Sequence, residues 1–193
     1  MSQKTKLLAE GAAMVALATV LSYIRVIKMP WGGSVTLLSM LPIVIFSIKN
    51  GVKNGLIVSF VFSLIQFLQG VMDGLFGWGL TAGSLVACIL IDYLLAFTVL
   101  GLAGLFRKNG LKGWISGTVL AIVLRLVMHF ISGVVIWHSF GELWGGFATE
   151  STVLYSLLYN GAYMVPEIIF TTIGAVVLLK APQTKKIILN EME

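Results

Sequence analysis

The sequence predicts an all-α integral membrane protein of six transmembrane helices with both termini in the cytoplasm. Three observations predict this fold class: the composition, the length of the apolar segments, and the distribution of lysine and arginine. Hydrophobic residues make up 58% of the 193 residues and charged residues only 11%, with a mean hydropathy of +0.99. Soluble domains usually contain about 25% charged residues. Residues 1–193 are therefore expected to form a single transmembrane domain in the lipid bilayer.

The apolar segments define the spans. A transmembrane helix needs about 20 mostly apolar residues, and six segments meet or approach this length: 7–27, 35–49, 52–70, 82–105, 114–138 and 154–180. The second is short, and a tilted, an irregular and a re-entrant segment all remain open. The first follows Lys4 and Lys6, as a signal peptide would, but its apolar stretch is longer than a typical signal-peptide core. It is therefore expected to be retained as an anchor.

The basic residues orient these spans. With six spans, ten of the thirteen lysines and arginines fall on one side: Lys4, Lys6, Lys49, Lys53, Arg107, Lys108, Lys112, Lys180, Lys185 and Lys186. The positive-inside rule assigns that side, with both termini, to the cytoplasm. The net charge of +5 thus reflects orientation in the membrane, and no nucleic-acid partner is expected.

The sequence lacks the common motifs for phosphate binding and catalysis, including G-x-x-x-x-G-K-[ST], H-E-x-x-H, G-x-S-x-G and CxxC. No catalytic residue, metal site or cofactor is predicted, and the protein is not expected to be an enzyme. Any ATP that its work requires would be used by partner subunits. The single Cys88 excludes a disulfide within the chain.

A few ionisable residues fall inside the predicted spans, namely Glu10, Asp92, Arg125, His129 and Glu167. A charge at the bilayer centre costs at least about 2.5 kcal/mol, so such residues normally face the bundle interior and are candidates for function. Structural alternatives remain open. Asp92 and Arg125 are also suited to a buried ion pair that only fixes packing, and His129 to a hydrogen-bonded core position.

Two helix faces carry polar and aromatic groups toward the outer side. Arg125, His129, Gly133 and Trp137 recur every four residues and drift by about 40° per step around a helix. Trp137 alone would equally suit an interfacial aromatic belt. In the last span, three tyrosines share the same spacing and lie beside an asparagine whose amide needs partners: Tyr155, Tyr159, Tyr163 and Asn160.

These groups together predict an outward-facing pocket for a small, flat solute. Aromatic faces attract cations by roughly 0.5–2 kcal/mol per contact, and Asp92 suits a ligand with a fixed positive charge. The glycine-rich loop Met29–Ser34, which carries Trp31, is either a lid or a tight exposed turn.

Four motifs in chain order, PWGGSVTLLSMLPI, LIDYLLAF, R-x-x-x-H-x-x-x-G-x-x-x-W and YSLLYNGAYMVP, are similar to a known family. The chain resembles the thiamine-specific S components, the ThiT family, of energy-coupling factor (ECF) transporters. The resemblance implies the ECF S-component fold, with a thiamine pocket near the extracellular side. It also implies partners: an ECF transmembrane coupling protein and two ATPase subunits, which alone use the ATP.

The resemblance also implies roles for individual residues. The substrate-binding positions would be Trp31, Asp92, Tyr93, Arg125, His129, Gly133, Trp137, Tyr155 and Asn160. Asp92 stands where the family often has Glu and would stabilise the thiazolium charge, while Asn160 would bond the aminopyrimidine. Arg125, where some members have Lys, would hold Asp92 ionised or meet the ligand's hydroxyl end. Ala12 and Ala16 would form the A-x-x-x-A surface that docks on the coupling protein.

Two alternatives to thiamine binding differ in class. The first is an S component for another flat vitamin or for a thiamine precursor such as an aminopyrimidine, which would not need Asp92. The second is an intramembrane hydrolase that uses His129 and Asp92 with a serine such as Ser132. No nucleophile motif surrounds Ser132, which disfavours the second alternative.

Overall fold

The computed structural model describes residues 2–190, and most of them are helical. We label the helices in chain order: α1 Gln3–Tyr23, α2 Leu41–Met72, α3 Ala82–Gly104, α4 Arg107–Trp137, α5 Thr152–Lys180 and α6 Pro182–Asn190. Two short antiparallel hairpins join helices at the outer side: β1 Arg25–Lys28 with β2 Ser34–Thr36, and β3 Gly141–Trp144 with β4 Phe147–Thr149. In the described part of the chain, α1 to α5 are each long and apolar enough to cross a membrane.

Helix α2 supplies two of the six predicted spans because its backbone reverses at Gly51. Gly51 has φ 82° and ψ 168°, which is outside the helical region and favours glycine. A Cβ added at Gly55 would lie 2.8 Å from the Cβ of Ser47. In a straight helix, residues eight apart are separated by about 12 Å, so the two arms must fold back on each other. The prediction of six spans is confirmed.

The predicted outer boundaries of the first two spans are wrong, because both predicted helices include residues that form strands. The segment 7–27 was expected to be helical throughout, but α1 ends at Tyr23 and Arg25–Lys28 is a strand. The segment 35–49 begins in the partner strand, and its helix starts only at Leu41. Both strands are rich in β-branched residues, which favour extended backbone. Pairing them satisfies backbone groups that a helix would otherwise have satisfied.

Capping side chains fix where three helices begin. Ser2 accepts a hydrogen bond from Thr5 N at 3.1 Å and starts α1. Thr81 caps α3 at 3.2 Å, and Ser151 caps α5 at 3.3 Å. Each hydroxyl satisfies a backbone N–H that has no partner within its own helix.

The inner half of the bundle is closely packed. A Cβ added at Gly117 of α4 would lie closer than 3.0 Å to the carbonyl oxygen of Ala103 in α3, so these backbones touch. Trp114 is completely buried nearby, and its Nε1 donates to Arg107 O at 2.7 Å. Small residues of this kind let membrane helices approach closely, and here they close the bundle at its cytoplasmic end.

Large apolar side chains cover the outside of the bundle. Ile57, Phe170 and Val177 are each at least half exposed. A soluble monomer rarely exposes so much apolar surface, whereas a bilayer covers it. The molecule is a multi-pass membrane protein.

Candidate functional site

A cavity of about 540 Å³ opens in the outer half of the bundle, within the size range of small-ligand pockets. The segment that holds the first hairpin and helices α2 to α5 form its walls. Eight of the nine predicted substrate-binding residues line it: Asp92, Tyr93, Arg125, His129, Gly133, Trp137, Tyr155 and Asn160. The ninth, Trp31, lies in the turn Pro30–Gly32 between β1 and β2, and its side chain is outside the described part of the structure.

Asp92 is the centre of the polar contacts in this cavity. Its Oδ1 lies 3.0 Å from His129 Nδ1. Its Oδ2 accepts hydrogen bonds from Ser132 Oγ, from Trp137 Nε1 at 3.2 Å and from Cys88 Sγ at 3.4 Å. His129 and Trp137 were predicted to lie with Asp92, and Ser132 was named only as a nucleophile in the hydrolase alternative. The hydrogen bonds from Ser132 and Cys88 to this carboxylate were not predicted. Four side chains therefore hold Asp92 in one orientation.

Two π-helical segments create this arrangement. One, Ile89–Leu95, carries Asp92, and the other, Gly133–Trp137, directly follows Ser132. In an α-helix, residues five apart lie about 140° apart around the axis. A π-helix joins residues i and i+5, so residues five apart move toward one face. This geometry lets Ser132 and Trp137 contact the same oxygen of Asp92, and α-helical spacing could not predict it.

His129 lies between Arg125 and Asp92, which corrects the idea of a direct ion pair between the two charged residues. Arg125 Nε donates to His129 Nε2 at 3.3 Å. That nitrogen then carries no hydrogen, and His129 Nδ1 is the donor to Asp92. The Arg125 guanidinium lies 4.1 Å from the centre of the Phe97 ring, and its Nη1 is 3.0 Å from Met40 Sδ. Arg125 thus acts on Asp92 through the imidazole.

The contacts of Ser132 also bear on the hydrolase alternative. A catalytic serine needs a hydrogen bond to its general base, but the Ser132 hydroxyl donates to Asp92 instead of to His129. Within residues 2–190, no group of three His, Cys, Asp or Glu side chains is arranged to hold a metal ion. The polar groups of the cavity are arranged around a carboxylate and not around a nucleophile.

Asn160 is held by its neighbours in α4 and α5. Its Nδ2 lies 3.2 Å from His129 O and 2.9 Å from Ser156 O, and its Oδ1 accepts from Tyr163 OH at 2.8 Å. The amide hydrogens are therefore used within the protein. One acceptor position of Oδ1 is left for a ligand.

Aromatic rings form the remaining walls. Trp78 lies 5.8 Å from Trp137 between ring centres, at 54°, so the loop between the third and fourth spans does reach the cavity. Tyr155 stacks on Tyr159 at 6.3 Å and 15°. The Tyr159 hydroxyl donates to Pro30 O and thereby ties α5 to the first hairpin. The cavity thus offers flat apolar faces on at least two sides.

An ion pair stands at the outer rim. Arg25 of β1 donates to Asp73 Oδ1 at 3.0 Å, and its second nitrogen lies 2.7 Å from Asp73 Oδ2. Lys28 approaches the same carboxylate at 3.5 Å. Hydrogen bonding to Arg25, with the positive charge of both cations, lowers the pKa of Asp73 below its ordinary value. Asp73 joins the first hairpin to the end of α2.

The other ionisable residues of the spans do not line the cavity. Glu167 is buried in α5 and accepts from Thr36 N at 2.5 Å and from Thr36 Oγ1 at 2.6 Å, so it fixes the end of β2. Glu10 pairs with Lys49 at 2.8 Å toward the inner end. Ala12 and Ala16, the candidate docking residues, are exposed on α1.

Comparison with known proteins identifies the family. The family described as thiamine transporter protein matches residues 8–187. This chain belongs to the thiamine transporter protein family. The thiamine transporter ThiT of Bacillus subtilis strain 168 is 34% identical over 93% of this chain and 93% of its own length. The thiamine transporter ThiT of Lacticaseibacillus paracasei strain ATCC 334 is 26% identical, over 90% of this chain and 87% of its own length.

A solved structure of another protein has the same fold as this chain. The structure of ThiT from Listeria monocytogenes superposes with a TM-score of 0.73 at 25% identity, covering 97% of this chain and 99% of that chain. The resemblance to the ThiT family that the motifs indicated is confirmed. Membership of this family, with the membrane-length helices, assigns the protein to the prokaryotic plasma membrane.

Proposed function

We propose that this protein is the substrate-binding S component of an ECF-type vitamin importer and that its outer cavity captures thiamine from the extracellular side. The observation that carries the proposal is the position of Asp92, a carboxylate in a cavity walled by aromatic rings. Thiamine combines a permanently charged thiazolium ring with a flat aminopyrimidine. A buried carboxylate and aromatic faces match both features.

Individual residues then take distinct roles. Asp92 faces the thiazolium charge, and Trp137 and Tyr155 pack against the ligand rings. Asn160 accepts a hydrogen bond from the aminopyrimidine through the free position on Oδ1. Gly133 keeps a close approach open, because a side chain there would meet Ser156.

Four further residues support this arrangement. Tyr93 adds an aromatic wall beside Asp92 and packs edge-on against Phe67 at 5.9 Å. His129 orients the Asp92 carboxylate through its Nδ1, which lies 3.0 Å from Oδ1. Arg125 in turn orients His129, because its Nε donates to His129 Nε2 at 3.3 Å. Trp31 belongs to the turn Pro30–Gly32, whose Gly32 lines the cavity.

Asp92 also separates thiamine from the alternative ligands. An uncharged aminopyrimidine precursor would leave the carboxylate without a cation, and placing a carboxylate in a low-dielectric site is costly unless it is paired. This argument favours a cationic ligand over a neutral precursor or another flat vitamin.

The test is a thiamine titration of the purified protein in detergent, followed by tryptophan fluorescence and by calorimetry. We expect saturable quenching by thiamine, with most of the signal lost in Trp137→Phe, which replaces the tryptophan with a non-indole ring. The aminopyrimidine precursor serves as the matched neutral ligand and is expected to bind more weakly. Tighter binding of the precursor than of thiamine would contradict thiamine as the substrate but would leave the proposed role as an S component in place.

The partner subunits are part of the same proposal. In this proposal the chain binds the ligand, and a coupling protein and two ATPase subunits provide the energy. The sequence has no phosphate-binding loop of its own, which agrees with this division of labour. Ala12 and Ala16 are exposed and spaced four apart on α1, as a close helix–helix contact requires.

A docking experiment separates capture from uptake. Ala12→Trp is expected to abolish thiamine uptake by cells while leaving the Kd of the purified protein unchanged. Ile173→Trp, at another lipid-exposed position, is the control and should retain uptake. Loss of binding in Ala12→Trp would show that this face of α1 supports the fold and not a partner.

A further inference from the structure

We propose that the second hairpin, β3–β4, anchors the outer end of the bundle in the outer leaflet of the bilayer through the side chains of Trp144 and Phe147. This interaction surface lies outside the cavity and does not depend on the proposed function. Its partner is the boundary between the headgroups and the acyl chains of a phospholipid leaflet.

The two hairpins differ in their relation to the cavity. The first contributes Arg25, Ser34 and Thr36 to the cavity walls. None of residues 141–149, all of which the structure describes, lines the cavity. The second hairpin instead contacts α5. Enclosing a ligand therefore does not account for the aromatic rings that this hairpin carries.

A β-bulge gives the second hairpin one apolar face. Trp144 pairs with Phe147 next to the turn. Glu142 pairs with Ala148, so β3 has one extra residue between the two pairs. Successive side chains of a strand point to opposite faces, so Phe147 and Ala148 face opposite ways. Residues paired across a ladder share a face, and the bulge therefore places Trp144 beside Phe147, on the face opposite to Glu142.

This apolar face is open to the surroundings of the protein. Trp144 is 44% exposed and Phe147 is 45% exposed. The hairpin joins the outer ends of α4 and α5, where Val135 and Val153 are more than half exposed and are covered by lipid like the rest of the outside of the bundle. Aromatic side chains, tryptophan above all, collect at the headgroup level of a membrane. The bilayer surface that surrounds α4 and α5 therefore continues onto the hairpin.

The polar groups of the hairpin fit the headgroup level and not the hydrocarbon interior. Gly146 N donates to Glu142 Oε1 at 3.2 Å, so this N–H of the tip keeps a partner where water is scarce. The Glu142 side chain is itself exposed. Residues 138–151 contain two glutamates and no lysine or arginine, so attraction to anionic lipid is not expected to contribute. A neutral lipid should therefore be sufficient for the anchor.

A matched pair of labelling sites tests the anchor. Phe147→Cys and Ala148→Cys change adjacent residues of one strand, which are both exposed but face opposite ways. Each full-length variant carries a nitroxide spin label in phosphatidylcholine vesicles. The access of oxygen, which concentrates in lipid, is compared with the access of a water-soluble nickel chelate. We expect the ratio of oxygen access to nickel access to be severalfold higher for Phe147→Cys than for Ala148→Cys.

Two further samples support the comparison. Cys88 is the single native cysteine and is 1% exposed, and wild-type protein taken through the same labelling gives its background. Trp144→Cys provides a second site on the apolar face, so the test does not depend on the folding of one variant. Its ratio should resemble that of Phe147→Cys.

Two outcomes would contradict the anchor. Equal ratios on the two faces, with both labels open to the nickel chelate, would place the whole hairpin in water. Protection of the apolar-face labels from both reagents would mean that protein covers the rings, and dipolar coupling between labels would identify that cover as a second copy of the chain. Thiamine binding enters neither comparison, so a failure of the proposed function would leave this inference in place.

Discussion

The inner and outer halves of the bundle differ in packing and in how their buried polar groups are arranged. In the inner half, helices touch through small residues such as Gly117, and Trp114 Nε1 has a fixed partner in Arg107 O. In the outer half, the helices surround a cavity, and several donors converge on Asp92. The same apolar chain thus packs closely at one end and encloses a cavity at the other.

Tryptophan side chains at the two ends of the bundle are therefore expected to have different effects when they are removed. A tryptophan in the packed half contributes mainly to the free energy of unfolding, because its removal leaves a void. We expect a tryptophan beside the cavity to contribute mainly to ligand affinity.

Two tryptophan variants should show the largest difference between the inner and outer halves. Trp114→Ala should reduce the free energy of unfolding by about 3–5 kcal/mol, since a fully buried ring is removed, and leave the thiamine Kd within a few-fold. Trp137→Ala should raise the Kd roughly 30-fold, since the ligand loses a ring contact and Asp92 loses a donor. Thermal unfolding and calorimetric titration of both variants measure the two effects. A larger loss of thiamine affinity in Trp114→Ala than in Trp137→Ala would contradict a binding site in the outer half.

Asp92→Asn tests the charge in the outer half. It should raise the thiamine Kd about 100-fold, because the ligand cation loses its buried counter-charge. An uncharged pyrimidine analogue should lose far less affinity, and parallel titrations of both ligands give the comparison. Equal losses for the two ligands would mean that Asp92 supports the fold without recognising charge.

Gly117→Ala tests the close packing of the inner half. Its Cβ would press on the Ala103 carbonyl, and overpacking of this kind costs about 1–3 kcal/mol. We expect Tm to fall by roughly 6 °C. Gly161→Ala in α5 is the control, because nothing lies within 4 Å of its added Cβ; its Tm should stay the same or rise. A fall in both variants of similar size would argue against a specific contact at Gly117.

The ion pair at the outer rim should have the smallest effect. Arg25 lowers the pKa of Asp73, so the folded-state pKa lies below the unfolded one. The pair then stabilises the fold above the ordinary aspartate pKa of about 3.9, and this contribution is lost as pH falls through the lowered value.

Asp73→Asn measures that contribution. At pH 7 the variant should have a Tm about 1–2 °C lower than the wild type, as is usual for a partly exposed pair. The difference should shrink as the pH is lowered below about 4. A difference that grows in acid would assign Asp73 some other role.

Much of the site followed from the sequence because α-helical spacing projects side chains to one face. Arg125, His129, Gly133 and Trp137 all line the cavity, as their four-residue spacing predicted. The missed partners have a physical explanation. Ser132 joins Trp137 on Asp92 only because the helix widens to a π turn after it, and local spacing gives no sign of such a turn.

The membrane environment, the number of spans and their orientation could all be predicted from the sequence. These follow from properties that add up along the chain: apolar length against bilayer thickness, and the side on which lysine and arginine collect. The motifs also indicated the family, since four motifs similar to those of the family occur in order along the sequence.

The pairing of the polar groups, in contrast, depends on tertiary contacts. Helix α1 ends at Tyr23, and β1 follows it as a strand because β2, from beyond the turn, satisfies its backbone groups. Tertiary packing placed His129 between Arg125 and Asp92, and it turned Glu167 toward Thr36 and away from the cavity. These pairings depend on which helices approach at which depth, and that information resides in long-range packing and not in any single segment.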